Sequence, residues 1–306
     1  MPRRLQWDQL PPTVRRRIER LLGAAVVQVE SRESGYSPAF ASRCVLANGR
    51  RAFVKAVSPA QNPDNPAILQ REIDAWSALP DDVPGARLLA GGDEGEWVVA
   101  AFEDVEGRMP PPWIPGDLQA VTETVEHVSR ITLDPHNPLG TAEEKYRGMF
   151  GGWRQLAADH DGLDPWAKEH LDGLVALEDE WAVAVTGDQL VHGDLRGDNI
   201  LFASDGRVVF VDWTDACRGN SLFDLVAMVP SLVLDGCGAA ETVLADSPQM
   251  RTVDPRILAV MVAAISGYFL SRAKQPSPPG LPTLRAFQAA QGRVCLEWLP
   301  SLLAAL

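Results

Sequence analysis

Cysteine is scarce in this 306-residue sequence: Cys44, Cys217, Cys237 and Cys295 lie far apart and form no C-x-x-C pair. That spacing argues against a structural zinc site and a disulfide framework, so the thiols read as reduced and structural. Long apolar runs are missing too. The longest, ILAVMVAAISGYFL from Ile257, has fourteen residues and is interrupted by Ser266 and Gly267. It is too short for a bilayer and reads as a buried helix. The N-terminus, MPRRLQWDQLPPTVRRRIERLLG, carries arginines but no apolar core segment or small-residue cleavage site. A secretory signal is therefore not expected, and the chain reads as cytoplasmic. Positive charge is the third shortage, with 28 Lys and Arg against 41 Asp and Glu and a formal net charge of −13. Nucleic acid and anionic membranes are poor partners for such a chain, whereas a cationic small molecule is favoured. The same acidity would also serve solubility alone.

What is present supports a core: 46% of the residues are hydrophobic. Two regions differ in pattern. From Tyr36 to Phe102 the β-branched runs ASRCVL, RAFVKAV, ARLLAG and EWVVAAF surround one helical segment, and the Pro-rich EDVEGRMPPPWIPGD then reads as a linker. Beyond Asp117 the segments LQAVTETVEHVSRIT, DPWAKEHLDGLVALEDEWAVA, SLFDLVAMV, RILAVMVAAISGYFLSRA and TLRAFQAAQGRVCLEWLPSLLAAL are helical in period. The expected class is α+β, a strand-rich part with one helix followed by a mostly helical part.

One stretch breaks the helical pattern. In LVHGDLRGDNILFASDGRVVFVDW, from Leu190 to Trp213, NILFA and RVVFV flank Ser204-Asp205-Gly206, a hairpin turn signal. Pairing 199–203 with 207–211 sets Asn199 and Asp212 at the same end of the ribbon, where an amide and a carboxylate can hold a divalent cation. Asp194 precedes Asn199 by five residues on a loop whose Gly193 and Gly197 let the backbone fold back. A carboxylate there could accept the proton of a substrate hydroxyl while the ion neutralises a transferring phosphoryl group.

Two charges in the first region are out of place. Strand alternation in RAFVKAV puts Lys55 on one face with Phe53 and Val57, and helical spacing sets Glu72 in a stripe with Ile68, Trp76 and Leu79. A buried carboxylate needs a partner, and Lys55 is the natural one.

HGDLRGDN followed by VDW resembles the catalytic loop and metal segment of the aminoglycoside phosphotransferase family, itself similar to protein kinases. The resemblance implies a protein-kinase-like, two-lobed fold, with a small antiparallel-sheet lobe over 1–105 and a larger, mostly helical lobe over 106–306, that uses ATP or GTP with Mg2+. It implies that Asp194 is the catalytic carboxylate, that Asn199 and Asp212 bind magnesium, and that His192 is a structural member of the loop. Arg196 departs from many antibiotic kinases, which have a small residue there, and resembles a kinase lysine that stabilises the γ-phosphate. Lys55 and Glu72 match the strand-lysine and helix-glutamate pair that reaches the α- and β-phosphates, with Phe53 covering adenine. In ESGYSPAFASRCVL, Gly35 and Ser37 match the phosphate-covering loop, and in AAFEDVEGR the backbone of Glu103 and Val105 matches the adenine-binding hinge. By the same resemblance Asp224 braces the catalytic loop.

Only eleven residues separate Asp212 from Asp224, which leaves no room for a peptide platform and favours a small acceptor. Asp215 and Trp213 are expected near it, with further acidic candidates at Asp159, Asp161, Asp164, Glu178, Asp179, Asp235 and Glu297. A hydroxylated cation fits, such as an aminoglycoside or a tuberactinomycin-type cyclic peptide. A metabolite such as choline, homoserine or a sugar is the alternative acceptor, and a non-catalytic nucleotide-binding module is a third reading.

Overall fold

The computed structural model describes residues 4–31, 39–279 and 281–306. The chain divides into two compact units, the first formed by residues 1–109, 200–215 and 278–282 and the second by 110–199, 216–277 and 283–306.

In the first unit, helix α1 (Pro12–Leu22) precedes strands β1 (Val26–Ser31), β2 (Phe40–Leu46) and β3 (Arg51–Val57). Helix α2 (Asn65–Trp76) and strands β4 (Leu88–Glu94), β5 (Trp97–Glu103) and β6 (Gly107–Arg108) follow. The five-stranded sheet runs in the order β1-β2-β3-β5-β4 with every pair antiparallel. Pleat alternation gives it two apolar faces. Phe40, Cys44, Val54, Val99 and Ala101 pack with Val14, Ile18 and Leu22 of α1. On the other face Val57, Val98, Ala100 and Phe102 pack with Leu69, Ile73 and Trp76 of α2. Lys55 shares the β3 alternation of Phe53 and Val57, so it belongs to the face that α2 covers.

Strand β1 was not among the expected strands, because VVQVES alternates poorly and only half-buries its side chains. The expected linker also contains structure. Gly107 and Arg108 pair with Ala203 and Phe202, adding β6 to the hairpin of β8 (Ile200–Ala203) and β9 (Val208–Phe210). Only glycine fits at 107, since a Cβ there would meet the Phe202 carbonyl oxygen at 2.3 Å.

The second unit contains helices α3 (Asp117–Ser129), α4 (Ala142–Tyr146), α5 (Gly152–Ala158), α6 (Pro165–Glu169), α7 (Leu171–Glu178) and α8 (Trp181–Val185). Strand β7 (Gln189–Val191) pairs with β10 (Cys217–Gly219), and helices α9 (Leu222–Leu234), α10 (Pro248–Thr252), α11 (Pro255–Ala273) and α12 (Leu284–Leu303) complete it. The single helix expected over 164–184 is three short ones, α6 to α8. The apolar run at Ile257 belongs to the longer α11, which Asp254 caps by accepting from the Arg256 N–H at 2.8 Å. By length and composition α11 could cross a membrane, but 61% of that window is buried inside the protein, where it serves as a core helix.

Candidate active site

Lys55 sits in the ladder between Ala41 and Ala100, small neighbours that leave room for its side chain to rise from the sheet. Its Nζ donates to Glu72 Oε1 at 2.9 Å and Oε2 at 2.7 Å. Glu72 is buried, as are Leu69 and Ala75 of the same helix. Ile68, expected in the stripe of Glu72, is instead 39% exposed. The packed face of α2 centres on Leu69, Ile73 and Trp76, and at about 100° per residue Ile68 falls roughly a quarter turn away from it.

Asp212, just beyond β9, adopts a left-handed φ of 66° and accepts a hydrogen bond from the Thr214 hydroxyl at 2.7 Å. A non-glycine residue in that region is uncommon and costs strain, a feature that clusters at functional sites. Its charge reaches Lys55. Burial alone would lower the Lys55 pKa, but Asp212 and Glu72 together outweigh that and raise it. Glu72 is pushed up to about 7 by burial, which Lys55 only partly offsets and Asp212 reinforces. The first unit thus brings Lys55, Glu72 and Asp212 into one electrostatic cluster. Phe53 lies two residues before Lys55 on β3 and is half-buried. Gly35 and Ser37 lie outside the described residues.

Glu103 and Val105, the expected hinge positions, are bonded within their own unit. The Glu103 N–H donates to the Arg87 carbonyl at 2.8 Å, and the Val105 carbonyl accepts from Arg43 Nη2 at 2.5 Å. Between them Asp104 binds Arg43 at 2.6 Å and Arg51 at 2.7 Å. The Arg43–Asp104 pair carries no local spacing signal, since its members are distant in the chain.

In the second unit the loop that carries Asp194 is held by Asp224. Asp224, buried in the first turn of α9, accepts the N–H of His192 at 2.7 Å and of Gly193 at 2.9 Å. Burial pushes its pKa up to about 6 despite those two donors. His192 is buried too, and its Nδ1 accepts the Asp194 N–H at 3.3 Å. Asn199 donates through Nδ2 to both the carbonyl of Asp194, at 2.8 Å, and its carboxylate Oδ2, at 3.1 Å. With that amide nitrogen engaged, the Asn199 oxygen is the atom directed to other uses. Arg196 lies 2.8 Å from Asp198 and 3.9 Å from Asp194, with its guanidinium over the Phe287 ring of α12 at 5.3 Å. The Asp194 side chain is 45% exposed and accessible to solvent.

Oxygen atoms from an amide and a carboxylate are the hard donors that magnesium takes, with phosphates and water filling its remaining positions. Asn199 and Asp212 are of that type, and no group of three or more His, Cys, Asp or Glu suited to a metal occurs among the described residues.

The expected acceptor residues fare differently. Asp215 ends the short helical turn after Asp212 and is half-buried. Trp213 is a correction: it is fully buried, donates to the Phe210 carbonyl at 3.1 Å, and packs edge-on against Trp76. It fills core space and presents no surface to an acceptor. Glu178 is likewise structural, accepting the N–H groups of Gly152 and Trp153 at 2.9 and 2.8 Å. Asp159 pairs with Lys274 and Asp179 with Arg154, while Asp164 caps α6. Asp235 is different. It is exposed, accepts from the Trp113 indole at 3.0 Å, and borders Gly197, three residues after Asp194, where a Cβ would come 3.2 Å from its carboxylate.

The APH model, described as the phosphotransferase enzyme family, matches residues 28–251. Among solved structures, a thermostable mutant of aminoglycoside phosphotransferase APH(4)-Ia in ternary complex with ADP and hygromycin B is 16% identical. The match covers 94% of this chain and 98% of that one, with a TM-score of 0.63. Choline kinase LicA from Streptococcus pneumoniae is 15% identical over 94% of this chain and 98% of its own, with a TM-score of 0.61. Amicoumacin kinase hAmiN, in complex with AMP-PNP, Ca2+ and Ami, is 12% identical over 91% and 92%, with a TM-score of 0.52. At these identities the structural likenesses establish the fold.

Proposed function

The chain belongs to the phosphotransferase enzyme family, and from that premise we propose that it transfers the γ-phosphoryl group of ATP to a hydroxyl of a cationic antibiotic. The acceptor is an aminoglycoside or a tuberactinomycin-type cyclic peptide, and the modification confers resistance. Asp194 takes the hydroxyl proton as the acceptor oxygen bonds to the γ-phosphorus and the bond to the β-phosphate oxygen breaks, releasing ADP. Arg196 offsets charge on the transferring group. Lys55, oriented by Glu72, binds the α- and β-phosphates, with Gly35 and Ser37 covering them. Phe53 packs on adenine, and the backbone of Glu103 and Val105 bonds its edge. Asn199 and Asp212 would hold magnesium, which supplies charge neutralisation to the phosphates. Asp215 contributes a carboxylate for the acceptor.

The observation that carries this reading is the pair of hydrogen bonds that Asn199 donates to Asp194, on a loop whose preceding amides Asp224 holds. It orients an accessible carboxylate beside a ligand-type amide. A choline, homoserine or sugar acceptor keeps the same chemistry, and the exposed carboxylate of Asp235 beside Trp113 would suit a quaternary ammonium as well as an aminium.

The test is magnesium-dependent ADP release from ATP across aminoglycosides, tuberactinomycins, macrolides, choline and small sugars, beside Asp194→Ala. Turnover on a cationic antibiotic is expected, and the variant should lose about 10²–10⁴-fold in rate. Turnover on choline or a sugar alone would overturn the antibiotic assignment.

A further inference from the structure

The hinge segment presents its backbone with one polarity. An antiparallel residue turns its N–H and C=O to the same side of its strand, and the Glu103 N–H points to Arg87, away from β3. That N–H is occupied. The Val105 carbonyl is turned to Arg43, whose guanidinium Asp104 grips at 2.6 Å, so the direction in which it accepts is fixed. Arg43 and Asp104 are both sheltered, their side chains 11% and 3% exposed, so the clamp competes little with water. The backbone groups left to read a base are an acceptor, the Glu103 carbonyl, followed by a donor, the Val105 N–H.

Bases differ at the edge such a strip meets. Adenine offers a donor, its 6-amino group, beside an acceptor, N1. Guanine and hypoxanthine offer the reverse, with O6 accepting and N1–H donating. Adenine therefore meets the strip with opposite partners at both positions. A guanine would set O6 against the Glu103 carbonyl and N1–H against the Val105 N–H. The two groups it needs, the Glu103 N–H and the Val105 carbonyl, are the two already bonded.

We infer that Arg43 is a positioning residue for nucleotide selectivity: by engaging the Val105 carbonyl it fixes the hinge in the polarity that accepts adenine and rejects 6-oxopurines. This rests on the reading of Glu103 and Val105 as the base-binding hinge. Arg51 supplies an internal control, because it grips the same Asp104 at 2.7 Å from the opposite carboxylate oxygen without touching Val105.

Titration calorimetry with the magnesium salts of ATP, inosine triphosphate and GTP needs no acceptor and reads the base preference directly. The wild-type protein should bind ATP about 100-fold or more tighter than the two 6-oxopurines, since both base contacts become mismatched. Arg43→Met should narrow the ATP-to-inosine ratio about 10-fold, as one freed carbonyl restores one hydrogen bond. Arg43→Lys, which keeps a cation for Asp104 without the planar fork that spans both groups, should narrow it in the same direction. Arg51→Ala should leave the ratio unchanged. Equal affinity of the wild type for ATP and inosine triphosphate would overturn the inference, as would a proportional loss of all three nucleotides in both Arg43 variants. Failure of every nucleotide to bind the wild type would instead remove the ATP-dependent reading beneath it.

Discussion

The Lys55–Glu72 pair shows what a single residue contributes to the candidate site. Buried ion pairs are poor stabilisers because desolvation consumes most of their attraction, so under the proposed function the 2.7 Å contact orients a cation for phosphate. Its pH dependence follows from Glu72, whose carboxyl burial lifts to about 7. A raised carboxyl gains its proton as pH falls through that value, where an ordinary one would stay ionised. The pair is therefore complete in alkaline solution and lost below neutrality. The KM for ATP should rise several-fold between about pH 8 and about pH 6, while Glu72→Gln should show a raised KM with a flatter profile. A flat wild-type profile would count against the pairing as the nucleotide clamp. The residue types of this pair were legible in the sequence, because a lysine and a glutamate each interrupt an apolar face. The face of α2 that carries Glu72 was legible only to within a quarter turn, since packing on the sheet, not spacing, selects Leu69 over Ile68.

At the scale of elements, glycine marks where helices approach. A Cβ at Gly152 of α5 would come 2.0 Å from the Gly267 carbonyl oxygen of α11, and a Cβ at Gly267 would meet Glu178 Oε1 and Trp153 Cδ1 at 2.6 Å. Gly267→Ala should therefore destabilise the fold by about 1–3 kcal/mol through overpacking, seen as a fall in Tm. An unchanged Tm would mean the crossing can relax. In the sequence Gly267 was visible only as an interruption of an apolar run. The reason for it lies in a helix more than a hundred residues earlier, which no local period can report. Likewise β6 hid in a Pro-rich stretch because two residues carry no alternation, and the ladder to β8 forms across a long chain separation.

For the molecule as a whole, the net charge of −13 bears on the acceptor more than on the fold. Exposed carboxylates such as Asp235 and Asp194 raise the local concentration of a cation, an attraction that salt screens over about 10 Å at 0.1 M. With a cationic acceptor, kcat/KM should fall as potassium chloride rises, and more steeply than with a neutral sugar if one is turned over. Salt independence would place acceptor recognition in shape and aromatic contact instead. The division of the chain also belongs to this scale. Residues 200–215 associate with the first unit through β6 and β8, so the loop bearing Asp194 and the segment bearing Asp212 belong to different units although 18 positions apart in the chain.

By itself the sequence determined what short-range periodicity and fixed spacing can encode: the strands β2 to β5, the hairpin of β8 and β9, the five-residue step from Asp194 to Asn199, and the apolar faces that Lys55 and Glu72 break. Tertiary structure alone decided which groups meet from afar. It set Asp224 against the amides of His192 and Gly193, closed Arg43 onto Asp104 and Val105, and withdrew Trp213 into the core against Trp76. Those outcomes depend on the close packing of elements distant in the chain, where volume and hydrogen-bond satisfaction choose among side chains that a linear pattern leaves equivalent.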